Sequence, residues 1–159
     1  TPQNPVKSSN NFTDFIHRYE MVKIQVKDNN NLLASDIELN LKRPNYTINS
    51  LRYISKAYPN NSFSLIIGED NFVNFKKWRE YKEIMNYYKI YVYPRKTRLK
   101  TDMKLIMSNN IEMIEAPLID LSSTNIRNII NDKGYAKQFI SDSVYKYITT
   151  NNLYKSNKL

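Results

Sequence analysis

Cysteine is absent from the 159-residue chain, which excludes a disulfide scaffold, an iron–sulfur cluster and a thiol nucleophile. A single histidine, His17, excludes a multi-histidine metal site within the chain. Only two glycines occur, and no Gly/Ser-rich linker or internal repeat divides the sequence. No apolar run approaches the roughly 18 residues that a membrane-spanning helix requires. The first residues, Thr1-Pro2-Gln3-Asn4-Pro5, carry no signal-peptide pattern. Against these absences stand 41% hydrophobic and 13% aromatic residues, enough for a packed core. The length suits one domain, 1–159, burying roughly 70% of its unfolded surface.

Charge is unbalanced. Lys and Arg number 24 against 15 acids, a formal net charge of +9. Such a surplus suits anionic partners: nucleic acid, a membrane surface or phosphorylated small molecules. The plain alternative is the codon bias of an AT-rich genome written onto a solvated face, since Lys, Asn, Ile and Tyr are all abundant. The surplus is concentrated, however. Residues 76–104 hold ten Lys/Arg and three acids around Trp78, Tyr87, Tyr88, Tyr91 and Tyr93. Basic residues interleaved with aromatics can stack on single-stranded nucleic acid or line a nucleotide pocket.

Periodicity and punctuation alternate strand with helix. Residues 12–27 read as a helix with Phe12, Phe15, Ile16, Tyr19 and Val22 on its apolar face and His17 on its polar side. Residues 32–39 read as a strand, and 47–58 as a helix stopped by Pro59. The run at 62–67, closed by Gly68, suits a strand buried on both faces. Residues 72–88 read as helix in two pieces around Trp78, 90–93 as a strand stopped by Pro94, 101–107 as a helix and 111–115 as a strand before Pro117. A helix is expected over 123–132, with Ser122 or Ser123 as N-cap and Gly134 near its C-terminal cap. Ser141 opens a last helix through Ile148. The pattern implies an α/β fold: a doubly wound, Rossmann-like, mainly parallel sheet covered by helices. Ligands then bind beyond the carboxyl ends of the strands.

Those ends carry the chemistry. In Leu121-Ser122-Ser123-Thr124-Asn125-Ile126-Arg127, hydroxyls at a helix start and a guanidinium one turn in form a polyphosphate cradle; the alternative is an ordinary N-cap with a surface Arg. In Ile66-Ile67-Gly68-Glu69-Asp70, Gly68 admits close approach to a ligand and Asp70 can accept from ribose hydroxyls; the alternative is a turn in which Asp70 caps a helix from Asn71. Trp78, beside Lys76, Lys77 and Arg79, can stack on a heteroaromatic ring or anchor the core. His17 lacks a positioned partner in the sequence and reads as structural.

Taken in order, these segments resemble the bacterial nicotinate mononucleotide adenylyltransferase family over nearly the whole chain. The resemblance runs through Thr1-Pro2-Gln3-Asn4-Pro5-Val6-Lys7, His17-Arg18-Tyr19-Glu20-Met21, Ser35-Asp36-Ile37-Glu38-Leu39 and Arg43-Pro44-Asn45-Tyr46-Thr47-Ile48-Asn49-Ser50-Leu51. It continues with Ile66-Ile67-Gly68-Glu69-Asp70, Lys77-Trp78, Pro94-Arg95, Ser122 to Arg127, Val144 to Ile148 and Leu153-Tyr154. The resemblance implies a cytoplasmic nucleotidyltransferase of NAD biosynthesis acting on ATP, with Mg²⁺, and nicotinate mononucleotide. Ser122, Ser123, Thr124 and Arg127 would then hold the ATP triphosphate, with Arg127 as the catalytic phosphate stabiliser. Gly68 and Asp70 would meet the nucleotide riboses and nearby backbone, and Lys7 the phosphates. Tyr46, Thr47, Trp78 and Arg95 would receive the mononucleotide, Trp78 by stacking on its pyridine ring.

Two departures stand out. Pro5-Val6-Lys7 replaces the family's Pro-His-Lys. The family's opening strand and Gly-x-Phe-x-Pro-x-His-x-Gly-His loop has no counterpart, so one βα unit of ~30 residues is expected upstream of Thr1. Alternatives of function are a sister adenylyltransferase, such as one acting on phosphopantetheine, a basic nucleic-acid-binding domain, and a non-catalytic remnant. The oligomeric state, a homo-oligomer included, and the preference between acid and amide mononucleotide stay open.

Overall fold

The computed structural model describes residues 13–95, 110–118, 121–130 and 133–154. They fall into two compact units, one drawn from the chain up to Asn40 and from Leu121 onward, the other Leu41–Asp120. The expected helix at 101–107 lies outside the described residues.

The second unit is an α/β layer. Helix α1 (Phe15–Val26) belongs to the first unit; the second begins with α2 (Thr47–Ala57), followed by β1 (Ser64–Gly68), α3 (Glu69–Phe72), a 3₁₀ turn at Phe75–Lys77, α4 (Tyr81–Tyr87), β2 (Lys89–Tyr93) and β3 (Ile111–Met113). The strands are parallel in the order β1-β2-β3. Leu65 lies beside Ile90 and Ile67 beside Val92, while Ile90 lies beside Ile111 and Val92 beside Met113. This alternation puts one apolar row on one face. Ile48 and Leu51 of α2, then Phe72, Phe75, Ile84 and Tyr88, pack against that row. Ile48, Phe75, Ile84, Ile90 and Val92 are each 0% exposed. At about 1.5–3 kcal/mol per buried side chain, this face supplies most of the unit's cohesion.

The opposite face differs from expectation. Ile66 is 70% exposed, so β1 is buried on one face within its unit. Three consecutive apolar residues, Leu65-Ile66-Ile67, hide the alternation that burial reveals. On the same face Lys89 bridges to Glu112 at 2.9 Å, an exposed pair that adds only about 0–1 kcal/mol.

Helix α2 ends where Tyr58 N–H reaches the Ile54 carbonyl and Pro59 follows. The 72–88 segment divides around Trp78 as expected, because Trp78 takes an extended conformation between the 3₁₀ turn and α4. Asn110 Nδ2 donates to the Met85 carbonyl at 3.1 Å, closing the end of α4 against the start of β3.

The first unit is helical: α1, a 3₁₀ turn at Ile37–Asn40, α5 (Ser123–Ile129), α6 (Lys133–Ala136) and α7 (Asp142–Thr150). Its core gathers Ile130, Ala136, Val144 and Ile148, with Met21, Ile24 and Ile126 packed on them. Ser141 caps α7 by accepting from Val144 N–H at 3.3 Å. Three expectations are corrected. The strand expected over 32–39 is absent: residues 32–36 form no regular element, a 3₁₀ turn follows at Ile37–Asn40, and Leu33 is 92% exposed. Without a described neighbour to pair with, the segment has no ladder. Helix α5 ends at Ile129, and Gly134 sits inside α6 instead of capping a longer helix. On α1 the packed residues are Met21 and Ile24, with Ile16 63% and Val22 50% exposed.

His17 turns with Met21 and Ile24 rather than lying on a polar side. Its Nδ1 pairs with the Tyr147 hydroxyl at 2.9 Å, tying α1 to α7. The structural reading of this histidine stands, with a partner 130 residues away. Tyr147→Phe is expected to lower the unfolding free energy by about 1 kcal/mol, the usual worth of one hydrogen bond. Urea titration of the variant checks this, and an unchanged midpoint contradicts it.

Candidate functional site

The carboxyl end of β1 meets that of β2 at Gly68, Glu69, Asp70 and Arg95. Gly68 occupies the N-cap place of α3 with φ −73° and ψ 150°, so its small size matters here, not its conformational freedom. A Cβ at Gly68 would stand 2.4 Å from Asp70 Oδ1 and 3.3 Å from Arg95 Cγ. The helix starts at Glu69, so Asp70 lies in its first turn and does not cap a helix from Asn71. Asp70 Oδ1 faces Arg95 Nε at 3.9 Å. Glu69 Oε2 accepts from the Arg95 backbone N–H at 3.3 Å, joining the two strand ends. A carboxylate and a guanidinium thus stand over a residue without a side chain, an arrangement suited to ribose hydroxyls and phosphate oxygens.

Gly68→Ala is expected to leave the thermal midpoint nearly unchanged, because the half-exposed Asp70 carboxylate can swing away. It should weaken nucleotide binding about tenfold or more, the worth of one charged hydrogen bond. Calorimetric titration checks this; unchanged affinity contradicts a placed Asp70.

In the same unit, Tyr46 precedes α2 and Thr47 is its first residue. Tyr46 and Trp78 are both half-buried against the core. Trp78 tilts on Phe75, centroids 5.5 Å apart at 58°, so the indole is at once a core anchor and partly open. The Arg79 guanidinium lies over the Tyr46 ring at 4.9 Å.

The first unit holds the serine-rich turn. Ser122 is the N-cap of α5, its Oγ accepting from Asn125 N–H at 3.1 Å, which decides between the two serines. Ser123, Thr124 and Arg127 are exposed. Arg127 Nη2 donates to Thr124 Oγ1 at 3.0 Å, folding the guanidinium back toward the helix start. The cap and the guanidinium are therefore both present, each on the same turn. Lys7 lies outside the described residues.

The basic stretch at 76–104 is partly answered by carboxylates. Arg79 pairs with Glu80 at 3.4 Å, Lys89 with Glu112 and Arg95 with Asp70. Lys96, Arg98, Lys100 and Lys104 lie outside the described residues. Sequence reasoning quoted Glu69 in its motif without a role, and passed over Arg79 as a partner of Tyr46 and the Arg52–Glu80–Glu83 cluster. Arg79 adjoins Trp78, which was a signal; Arg52 carries none. Among the described residues no group of three or more His, Cys, Asp or Glu could hold a metal ion, and no helix is long and apolar enough to cross a membrane.

Parallel strands that open at their carboxyl ends onto a glycine and charged groups are where α/β proteins take up nucleotides. The fold is of nucleotidyltransferase type. The structure of a Plasmodium falciparum nicotinic acid mononucleotide adenylyltransferase complexed with NaAD superposes with a TM-score of 0.73, covering 96% of this chain and 78% of that one at 20% identity. The family model described as cytidylyltransferase-like matches residues 1–129. A relative from Flavobacterium psychrophilum named "Probable nicotinate-nucleotide adenylyltransferase" is 39% identical over 155 residues, 98% of this chain and 80% of the relative. A relative of the same name from Cytophaga hutchinsonii is 35% identical over 98% of this chain and 80% of its own length. The chain belongs to the nicotinate-nucleotide adenylyltransferase family of cytidylyltransferase-like nucleotidyltransferases.

Proposed function

We propose that this chain, as a single nucleotidyltransferase domain over 1–159, transfers the adenylyl group of ATP to nicotinate mononucleotide. A phosphate oxygen of the mononucleotide attacks the α-phosphorus of ATP in line. The bond from the α-phosphorus to the bridging oxygen breaks, pyrophosphate leaves, and nicotinate adenine dinucleotide forms. The nucleophile is already anionic, so no strong base is required; alignment and stabilisation of phosphate charge carry the rate.

Each residue has a part in this reading. Ser122, Ser123, Thr124 and Arg127 hold the triphosphate, with Arg127 exchanging Thr124 for phosphate oxygens. Gly68 lets the nucleotide backbone approach, and Asp70 accepts from ribose. Trp78 stacks on the pyridine ring, Tyr46 and Thr47 border it, and Arg95 meets its charged groups. Lys7 adds positive charge near the phosphates. Mg²⁺ enters as the ion of the ATP substrate, held by phosphate oxygens and water, which is its usual manner of binding. The reading places the enzyme in the cytoplasm.

The observation that carries the reading is the cluster of Gly68, Asp70 and Arg95 at the strand ends of a chain belonging to this family. Calorimetric titration with nicotinate adenine dinucleotide, beside a circular dichroism spectrum, tests it. Saturable binding by the folded chain supports the reading. A folded chain that ignores the dinucleotide, yet binds oligonucleotides with a steep salt dependence, replaces it with the nucleic-acid alternative.

A further inference from the structure

Beside Tyr46 and Trp78 lies a charged cluster that the proposed reaction does not use. Arg52, on α2, donates from Nε to Glu83 Oε1 at 2.8 Å, and its Nη2 reaches both Glu83 Oε2 and Glu80 Oε2. The other Glu80 oxygen, Oε1, accepts from Arg79 Nε at 3.4 Å. Arg79 in turn covers the Tyr46 ring. A continuous path of contacts therefore runs from α2 through the turn after Trp78 and back to the residue that opens α2.

Two features point to a geometric role for this cluster instead of a stabilising one. Glu80 has φ 52° and ψ 36°, the left-handed region that favours glycine, and it occupies the N-cap place of α4. Its backbone turns there while its carboxylate is held by two arginines. The three side chains are also 30–45% exposed, where ion pairs contribute little to stability. A bidentate guanidinium fork is a device of geometry more than of energy in such a setting. The hydrogen bonds it donates to Glu83 and then Glu80 push the Arg52 guanidinium above its ordinary range, and accepting from Arg52 holds the Glu80 carboxyl below the usual carboxylate range.

We infer that Arg52 is a positioning residue: through Glu80 and Glu83 it fixes the turn that carries Trp78 and lays Arg79 over Tyr46, and so sets the affinity for the aromatic mononucleotide. The inference rests on the proposed function, in which Tyr46 and Trp78 receive that substrate.

The test titrates the full chain with nicotinate mononucleotide and, separately, with ATP. It compares wild type with Arg52→Ala, Arg52→Lys and the double variant Glu80→Gln/Glu83→Gln. Trp78 is the sole tryptophan, so acrylamide quenching of its emission reports the order of that turn directly. Arg52→Ala should weaken mononucleotide binding about tenfold, the equivalent of one to two hydrogen bonds, with ATP affinity within about twofold. Quenching should rise in parallel, the double variant should match, and lysine, a point charge without the fork, should fall between. Unchanged mononucleotide affinity and quenching in Arg52→Ala would overturn the inference, as would equal weakening toward both ligands, which marks a general structural loss. Failure of the folded wild type to bind the mononucleotide overturns the proposed function and the clamp's substrate role together. Wild-type binding with an unaffected Arg52→Ala overturns the clamp alone.

Discussion

Arg127→Ala should lower the rate of adenylyl transfer about 100-fold or more, the usual effect of removing one donor from developing phosphate charge. The side chain is exposed, and its hydrogen bond to Thr124 Oγ1 stays within one turn of α5. Folding therefore has little to lose, and the melting temperature should stay within a few degrees of wild type. The loss should appear in kcat more than in KM, because the charge to be stabilised grows toward the transition state. Arg127→Lys should recover only part of the rate, since a point charge replaces a planar fork. Steady-state kinetics with varied ATP decides the matter. A variant with wild-type kcat would remove Arg127 from the reaction.

Phe75→Ala should cost about 3–5 kcal/mol of unfolding free energy, the largest single effect on stability expected here. Phe75 is 0% exposed and lies among three aromatic neighbours. Its ring stacks on Phe72 at 5.9 Å and 22°, meets Tyr81 edge-on at 5.9 Å, and supports Trp78 at 5.5 Å. Removing it opens a cavity in the apolar layer that the described residues of the second unit build against its sheet. Globular domains hold only about 5–15 kcal/mol in reserve, so the loss is a large share. Trp78 would also lose its backing, and its emission should shift to the red in the folded variant. Urea unfolding followed by circular dichroism measures the cost. A difference below about 1 kcal/mol would mean that the layer collapses around the gap or that Phe75 is less central than its burial indicates.

The strands were legible because each chain segment announces its own limits. Pro94 stops β2 and Gly68 ends β1, and the strand ends then single out Gly68, Asp70 and Arg95. The Ser122 cap was legible for the same reason, since a hydroxyl before a helix acts within three residues. What failed was whatever depends on a distant partner. The apolar residues of α1 admit more than one face, and the face chosen is the one that brings His17 to Tyr147 and Met21 and Ile24 to the helical core. Residues 32–39 have strand composition but no described strand beside them. Ile66 continues an apolar run yet faces away from the packed side of the sheet. The contacts around the candidate site show the same division. Trp78 is conspicuous as the sole tryptophan, but Glu69 reaching Arg95 and Arg52 reaching Glu80 and Glu83 span 26 to 31 residues. No local pattern encodes such pairs; they follow from the strand register and from the turn at Glu80.

The most direct measurement is product formation by the chain supplied with ATP, Mg²⁺ and nicotinate mononucleotide, with circular dichroism establishing that it is folded. Nicotinate adenine dinucleotide and pyrophosphate should accumulate one to one, with saturation in both substrates and little product when phosphopantetheine replaces the mononucleotide. A folded chain that adenylylates phosphopantetheine in preference, or that forms no dinucleotide at saturating substrates, would contradict the account.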